Sequence, residues 1–295
     1  MTEDSITGKL RRGAPLIGDD CAVIRPPAGQ DLLFTTDLSI EGVHFTREST
    51  AEEIGARATA RSLSDIAAMG GTPLYCLVSI ALAPWTDERW IDGLYRGIFK
   101  LLRKAKASLA GGDISHAGQL VCEVMICGSV AKGKALLRSG ARPNDLLYVS
   151  GPLGGWRHKR AIVPRLEFGR KLVGVATACM DISDGLALDL HRLCRESGVA
   201  AELENVPLLK GATLDQALHD GEDYELLFTA PTRAKVAGIP IGKIIRGQPG
   251  AVRYAGKALA PIGYDHLRSR PRSSFADGKT IRDRGKTEPA RSPRT

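Results

Sequence analysis

Short acidic clusters recur along the chain, and most of them stand beside glycine, serine or threonine. They lie at 18–20, 35–37, 64–65, 111–113, 181–185 and 221–225. Aspartate beside glycine is common in turns and caps, and Asp184 before Gly185 has the clearest pattern of a plain helix cap. Asp65 differs, because its surroundings have a helical pattern and a buried aspartate there needs a positive partner.

Dispersed carboxylates of this kind suit divalent cations. Mg²⁺ prefers oxygen ligands and is usually shared between a few carboxylates and the phosphates of a substrate. Phosphoryl transfer depends on positioning and charge neutralisation, so it needs many such ligands and few nucleophilic side chains. The sequence has no Walker A motif and no HRD or DFG kinase motif, and GPLGG at 151–155 is only a weak phosphate-loop signal. These features predict an enzyme that uses Mg-ATP to phosphorylate a small molecule.

Composition restricts the class of protein further. Of 295 residues, 43% are hydrophobic and 25% are charged, which is typical of a globular chain with a sizeable core. Much of the net charge of +8 comes from a basic segment at 268–295, which we expect to be disordered. We expect no nucleic-acid partner for this segment. The six cysteines form no CxxC pair, and we found neither an export signal nor a membrane-spanning run. We therefore expect a cytoplasmic protein without membrane contact.

Hydrophobic patterning predicts alternating strands and helices, hence an α/β or α+β fold. Strands are expected near 32–36, 74–83, 120–130, 145–150, 200–203 and 224–229. Helices are expected near 49–69, 87–106 and 186–197, the first opening with capping-box spacing from Ser49 to Glu52.

Nine short motifs, in order, resemble one known family. They are GDDCAVI (18–24), TTD (35–37), GVHF (42–45), RSLSDIAAMGGTP (61–73), GGDIS (111–115), RSGARPND (138–145), DISDGL (181–186), GEDYELLFT (221–229) and GYDH (263–266). This series is similar to the thiamine-monophosphate kinase family of the aminoimidazole-ribonucleotide-synthetase-like superfamily. The resemblance runs from residue 17 to about residue 267 and leaves out both ends of the chain.

The resemblance implies two domains with mixed sheets layered with helices. Residues 1–137 would bind ATP and Mg²⁺ and form a homodimer, 138–267 would form a second α/β domain, and 268–295 would be the tail. The implied metal ligands are Asp20, Thr35, Thr36, Asp37, Asp65, Asp113, Asp181 and Asp184. The implied ATP contacts are Tyr95, Gly112, Asp113, Arg138 and Ser183. His44, Glu222 and Tyr264 would contact thiamine monophosphate.

The implied reaction transfers a phosphoryl group from ATP to thiamine monophosphate, giving thiamine diphosphate. A phosphomonoester is largely ionised near neutral pH, so we expect direct in-line transfer without a covalent nucleophile or a general base. One departure from the family is a shortened segment at 156–164. Two alternatives are a sister enzyme with another acceptor and a non-catalytic protein that binds nucleotide or thiamine phosphate. Without the resemblance, Tyr95, His44 and Tyr264 would be interpreted as packing residues.

Overall fold

The structure, a computed structural model, describes residues 27–155 and 161–265 and contains two sheets in these ranges. The first sheet contains β1 (Gln30–Ile40), β2 (Thr72–Leu82), β3 (Ser108–His116) and β4 (Val121–Ala131), in the order β1-β4-β2-β3. β4 is antiparallel to β1 and β2, whereas β3 is parallel to β2. The mixed, layered architecture agrees with the α+β fold predicted from the sequence.

Two helices pack against one face of this sheet, α1 (Ala51–Ala68) and α2 (Glu88–Ala105). The capping box of α1 is formed by Thr50 and Glu53, one residue later than predicted. The two helices approach closely, because a side chain at Gly97 would place its Cβ 2.1 Å from the Glu52 carbonyl oxygen. This contact fixes α1 over the sheet, where one of its faces meets the second half of the chain.

The 111–113 cluster lies inside β3, a strand that the sequence analysis did not predict. Its sequence, SLAGGDISH, is rich in residues that are depleted in strands. The strand forms because its backbone pairs with β2, whose residues are strongly β-prone. Asp113 consequently projects from a sheet edge.

The face of the first sheet opposite the helices is apolar and open. Leu32, Phe34 and Leu38 project from β1 and are 39%, 65% and 49% exposed. Register places Leu38 in one row with Glu123 of β4, Ser79 of β2 and Asp113 of β3. Asp113 and the apolar β1 side chains therefore share this open face.

The second sheet contains the shorter strands, in the order β11-β10-β7-β9-β5-β8-β6. They are β5 (Leu146–Val149), β6 (Ala178–Asp181), β7 (Ala200–Leu203), β8 (Leu226–Ala230), β9 (Ile239–Ile245), β10 (Val252–Tyr254) and β11 (Lys257–Ala258). The helices of this half are α3 (Leu166–Leu172), α4 (Leu186–Ser197) and α5 (Leu214–His219). α4 has the predicted bounds.

Helix α1 forms the wall between the two halves. A Cβ at Gly169 of α3 would lie 1.9 Å from the Ala67 carbonyl oxygen, so the α3 backbone lies directly on α1. Ser64 of α1 donates a 2.7 Å hydrogen bond to Asp181 at the end of β6. One face of α1 is therefore shared with the second sheet, and side chains from both halves meet there.

Several sequence predictions fall outside the described residues, including Asp20, the tail at 268–295 and most of the shortened segment. The five described cysteines are all buried and unpaired, as small core residues are. Within the described ranges, no helix is both long and apolar enough to cross a membrane.

Candidate active site

A cavity of about 210 Å³ opens between α1 and the second sheet. It is lined by Asp37, Val43, His44, Arg61, Asp65, Asp181, Ser183, Asp184, Glu222, Tyr224 and Tyr264. Eight of these residues were predicted site residues, drawn from the metal, ATP and acceptor sets. Because β1, α1, β6, three loops and the segment after β11 all contribute, the site exists only when both halves of the chain are folded together.

The first half supplies Asp37 and Asp65. Alternation along β1 turns Thr35 and Asp37 towards α1, where the Thr35 hydroxyl donates a short hydrogen bond to Asp65. Ser62 stands 3.2 Å from Asp37 and donates a 2.7 Å hydrogen bond to the backbone carbonyl of Val124. These hydroxyl contacts hold the two carboxylates against the helix.

Asp181 enters the same cavity from the end of β6, with 3% of the residue exposed. Burial, followed by repulsion from neighbouring carboxylates, raises the pKa of Asp65 well above its ordinary value. Burial is also the largest cause of the raised pKa of Asp181. The sequence predicted a positive partner for Asp65, but its near neighbours are the Thr35 hydroxyl, Asp181 and Asp37. Arg138 acts on Asp65 only as a weaker, opposing charge.

The loop before α4 carries Ser183 and Asp184. Asp184 is not the plain cap that its sequence context suggested, because Gly185 takes the N-cap position and no side chain caps the helix. Its carboxylate lies 2.6 Å from the Arg192 guanidinium. The buried Asp189 instead holds the preceding loop, because it accepts hydrogen bonds from the Ser183 and Asp184 amides at 3.1 and 2.9 Å. Burial raises the pKa of Asp189 to about 6.

The 221–225 loop brings Glu222 and Tyr224 to the cavity in an unusual backbone conformation. Both have left-handed φ values, 54° and 51°, which are rare for residues with a side chain. Their amides donate to the Ser183 and Ile182 carbonyl oxygens at 2.7 and 2.8 Å. The strained loop is thus fixed against the loop that carries Ser183. The Glu222 carboxylate pairs with Arg57 of α1 at 3.0 Å.

His44 and Tyr264 complete the lining of the cavity. The Ile40 amide donates to Nδ1 of His44 at 3.0 Å, so the neutral ring carries its proton on Nε2. The Tyr264 amide donates to the Asp184 carbonyl oxygen at 2.9 Å, which attaches the end of the described chain to the site. An imidazole, a carboxylate and a phenol therefore face the same space.

Six predicted site residues of the described ranges lie outside the cavity lining, and one of them, Thr35, still contacts it through its hydrogen bond to Asp65. Thr36 projects from the opposite face of β1 and donates to Glu123 at 2.8 Å. Gly112 and Asp113 lie on β3, three strands from β1 or about 14 Å at ordinary strand spacing. Tyr95 is buried in the core of the first half, 6.3 Å from Phe99 between ring centroids. Arg138 is exposed beside the carboxylates that its charge influences.

Sequence reasoning missed several residues that shape the site. Arg61 lines the cavity, Ser64 holds Asp181, and Asp189 with Arg192 holds the loop at Asp184. The spacing of Asp189 and Arg192 on one helix could have indicated their pairing. The contacts of Arg61 and Ser64 join residues more than a hundred positions apart, for which a single sequence has no signal.

The carboxylates fit magnesium better than a metal that needs a closed protein cage. Within residues 27–155 and 161–265, no group of three or more histidine, cysteine or acidic side chains is arranged to hold a metal ion. Four aspartates nevertheless line one cavity. Mg²⁺ keeps several waters and commonly takes one or two carboxylates together with substrate phosphates, which this spacing permits.

Sequence comparisons relate this chain to known proteins. The family described as AIR synthase related protein, N-terminal domain, matches residues 18–130. Thiamine-monophosphate kinase of Rhodopirellula baltica is 36% identical over 270 residues, covering 81% of this chain and 84% of the relative. The Haemophilus influenzae enzyme of the same name is 34% identical over 252 residues, covering 74% and 76%.

Solved structures show the same relationship. The structure of AaThiL complexed with AMPPCP and TMP superimposes with a TM-score of 0.76 at 30% identity, covering 89% of this chain and 95% of that one. The fold, the order of the motifs and the extent of the sequence match therefore agree. This chain belongs to the thiamine-monophosphate kinase family.

Proposed function

We propose that this protein phosphorylates thiamine monophosphate to thiamine diphosphate, with ATP as the phosphoryl donor and Mg²⁺ as the required metal. The observation that carries the proposal is the lining of one cavity, where aspartates from both halves of the chain stand together with His44, Glu222 and Tyr264. Relatives named for this activity, and a similar structure bound to AMPPCP and TMP, support the same assignment.

The aspartates of the cavity would hold the metal. Asp37, Asp65, Asp181 and Asp184 would bind Mg²⁺, with Thr35 orienting Asp65 and Ser64 orienting Asp181. Magnesium, when bound, neutralises the charge on the phosphates and on the group in transfer. Metal-free, Asp65 and Asp181 lie in a poorly solvated space beside other carboxylates, and burial together with repulsion raises their pKa values. This stored repulsion favours the binding of cations.

His44, Glu222 and Tyr264 would hold the acceptor. A carboxylate and aromatic rings suit a cationic thiazolium with an aminopyrimidine, through charge attraction and cation–π contact. The strained conformation of Glu222, fixed by its hydrogen bond to Ser183, would keep that carboxylate in place before the acceptor arrives. The acceptor phosphate would then point towards the aspartates.

We infer direct in-line transfer from ATP to the acceptor phosphate. The acceptor's second pKa is near 6, so the attacking oxygen is already largely deprotonated and needs no base. The role of the chain is to position the two phosphates and to reduce the charge repulsion between them. No covalent intermediate on the protein is required.

We further propose that the active protein is a homodimer formed through the open face of the first sheet. Its apolar β1 side chains are exposed in the single chain, with Phe34 65% exposed. Gly112 and Asp113 belong to the ATP set but lie about 14 Å from β1 on that sheet. We expect that a second copy packs on this face and thereby brings Gly112 and Asp113 close to a bound nucleotide.

A product assay tests the proposed reaction. The protein is incubated with Mg-ATP and thiamine monophosphate, and the products are separated by anion exchange. The wild type should form thiamine diphosphate, and Asp37→Asn should lower the rate by about 100-fold or more. Asp31→Asn is the matched control on the same strand, because Asp31 bonds the Gly133 amide far from the cavity. Absence of thiamine diphosphate in a wild-type reaction that consumes ATP would refute the acceptor assignment.

A further inference from the structure

Arg61 is a buried cation in a cavity lined mainly by carboxylates. It lies one turn before Asp65 on α1, with 11% of its side chain exposed. One terminal nitrogen donates to the Leu38 carbonyl oxygen at 3.2 Å, and the other lies 3.6 Å from the Asp37 carboxylate. The Tyr224 phenol oxygen is a further hydrogen-bond partner, and Glu222 is close enough to interact by charge.

Arg61 interacts with side chains of both proposed functions in the cavity. Asp37 belongs to the proposed metal ligands, and Glu222 belongs to the proposed acceptor contacts. Among the described lining residues, five carry carboxylates and Arg61 carries the guanidinium. An anion held between Asp37 and Glu222 would therefore lie near this guanidinium.

Arg61 also retains hydrogen-bonding capacity. Its Nε is buried and makes no hydrogen bond within the described part of the chain. A buried donor without an acceptor is costly, so a ligand that supplied an acceptor after a small rotation of the side chain would be favoured. A guanidinium offers a planar fork of donors that matches phosphate oxygens, and it remains charged at every physiological pH.

We propose that Arg61 contacts the phosphate of the acceptor and thereby makes the site prefer a phosphorylated thiazolium compound over its unphosphorylated form. The inference rests on the proposed function, because that function places an organic phosphate between the aspartates and the side chains proposed to bind the rest of the acceptor. A phosphate carrying nearly two negative charges would otherwise meet mostly carboxylates on entering. In this role Arg61 determines specificity, and the aspartates with their metal promote transfer.

The competing explanation is that Arg61 is structural. It could simply balance Asp37 and hold Tyr224 in its left-handed conformation, without touching the acceptor. Both explanations predict that an Arg61 variant loses activity. They differ in which ligand is affected, because only a phosphate contact distinguishes thiamine monophosphate from thiamine.

Isothermal titration calorimetry with both ligands separates the two explanations. Thiamine and thiamine monophosphate are titrated, with Mg²⁺ present, into wild type, Arg61→Met and Arg61→Lys. We expect Arg61→Met to lower the preference for the phosphorylated ligand by about 10- to 100-fold, the size of a charge-assisted hydrogen bond, with little change for thiamine. Arg61→Lys should keep part of the preference, because it keeps the charge but loses the fork.

Arg57→Met is the matched control. Arg57 lies one turn earlier on the same helix and pairs with Glu222. Its loss should alter the affinities for both ligands by similar factors, so that their ratio is retained.

An Arg61→Met protein whose two affinities fall together, or whose preference equals that of the wild type, would overturn the inference and leave the proposed reaction intact. A wild type that binds neither ligand would instead refute the proposed acceptor, and the inference with it.

Discussion

Replacing Asp65 by asparagine should stabilise the metal-free protein while removing function. Asparagine has the same shape and can still accept the hydrogen bond from Thr35, so the main change is the loss of one negative charge. Asp65 lies in a poorly solvated cavity with Asp37 and Asp181, and both raise its pKa. The native state of the wild type therefore contains a repulsion that the variant lacks.

The size of the effect follows from two opposing contributions. At an effective dielectric constant near 20, like charges a few ångströms apart repel by about 2–4 kcal/mol. Proton uptake by the coupled carboxyls, together with a weaker hydrogen bond from Thr35, should offset part of this. We expect a net gain of about 1–2 kcal/mol in unfolding free energy at pH 8, or a Tm higher by roughly 2–8 °C.

The raised pKa of Asp65 determines how the unfolding free energy changes with pH. Because the native pKa of Asp65 is raised, the native state binds more protons than the unfolded state above the ordinary aspartate pKa of about 4. The wild type should therefore lose stability as pH rises through this window, and the variant should lose less. Their difference should be close to zero near pH 4 and greatest above the raised pKa.

Differential scanning fluorimetry in EDTA, from pH 4 to pH 8, measures this difference. Asp215→Asn, on an exposed side chain of α5, is the control and should change stability by less than about 0.5 kcal/mol. Adding Mg²⁺ at about 100 times the dissociation constant should stabilise the wild type by about 2.7 kcal/mol and the variant by less. An Asp65→Asn protein less stable than wild type in EDTA at pH 8 would refute the argument from repulsion.

Three further changes test the packing and the assembly. Gly169→Ala should cost about 2 kcal/mol or more in urea unfolding, since its Cβ would meet the Ala67 carbonyl oxygen at 1.9 Å; wild-type stability would contradict the close helix contact. Glu225→Gln should cost about 3 kcal/mol by the same assay, because it leaves the Arg165 guanidinium without its buried charge partner; a loss below about 0.5 kcal/mol would contradict that role. Phe34→Asp should convert a dimer into a monomer in light scattering, whereas a wild type that is already monomeric would refute the proposed interface.

The sequence predicted the elements that carry strong periodic patterns. Helix α4 has its predicted bounds, and α1 begins one residue from its predicted cap because Thr50 and Glu53 offer the same capping chemistry as Ser49 and Glu52. β3 was missed because glycine and aspartate conceal a strand that its neighbour imposes. Local propensity identifies elements that form largely on their own and misses those that depend on a partner strand.

The site could be predicted only in part for the same reason. The motif order identified residues that the fold does bring together, such as Asp37, Asp65 and Asp181. It could not show that Arg61 lies beside Tyr224, because that contact depends on how α1 meets the second half of the chain. The interpretation of Asp184 as a plain helix cap was wrong for a local reason, because Gly185 takes the N-cap position and Asp184 instead pairs with Arg192.

The central claim is that one phosphoryl group passes directly from ATP to thiamine monophosphate. The most direct test supplies ATP labelled with radioactive phosphorus at its γ-phosphate, together with Mg²⁺ and thiamine monophosphate, and follows the label by chromatography. Our account predicts that the label appears in thiamine diphosphate in a one-to-one ratio with ADP, and that none remains on the acid-denatured protein. Label found only in inorganic phosphate, or bound covalently to the protein, would contradict it.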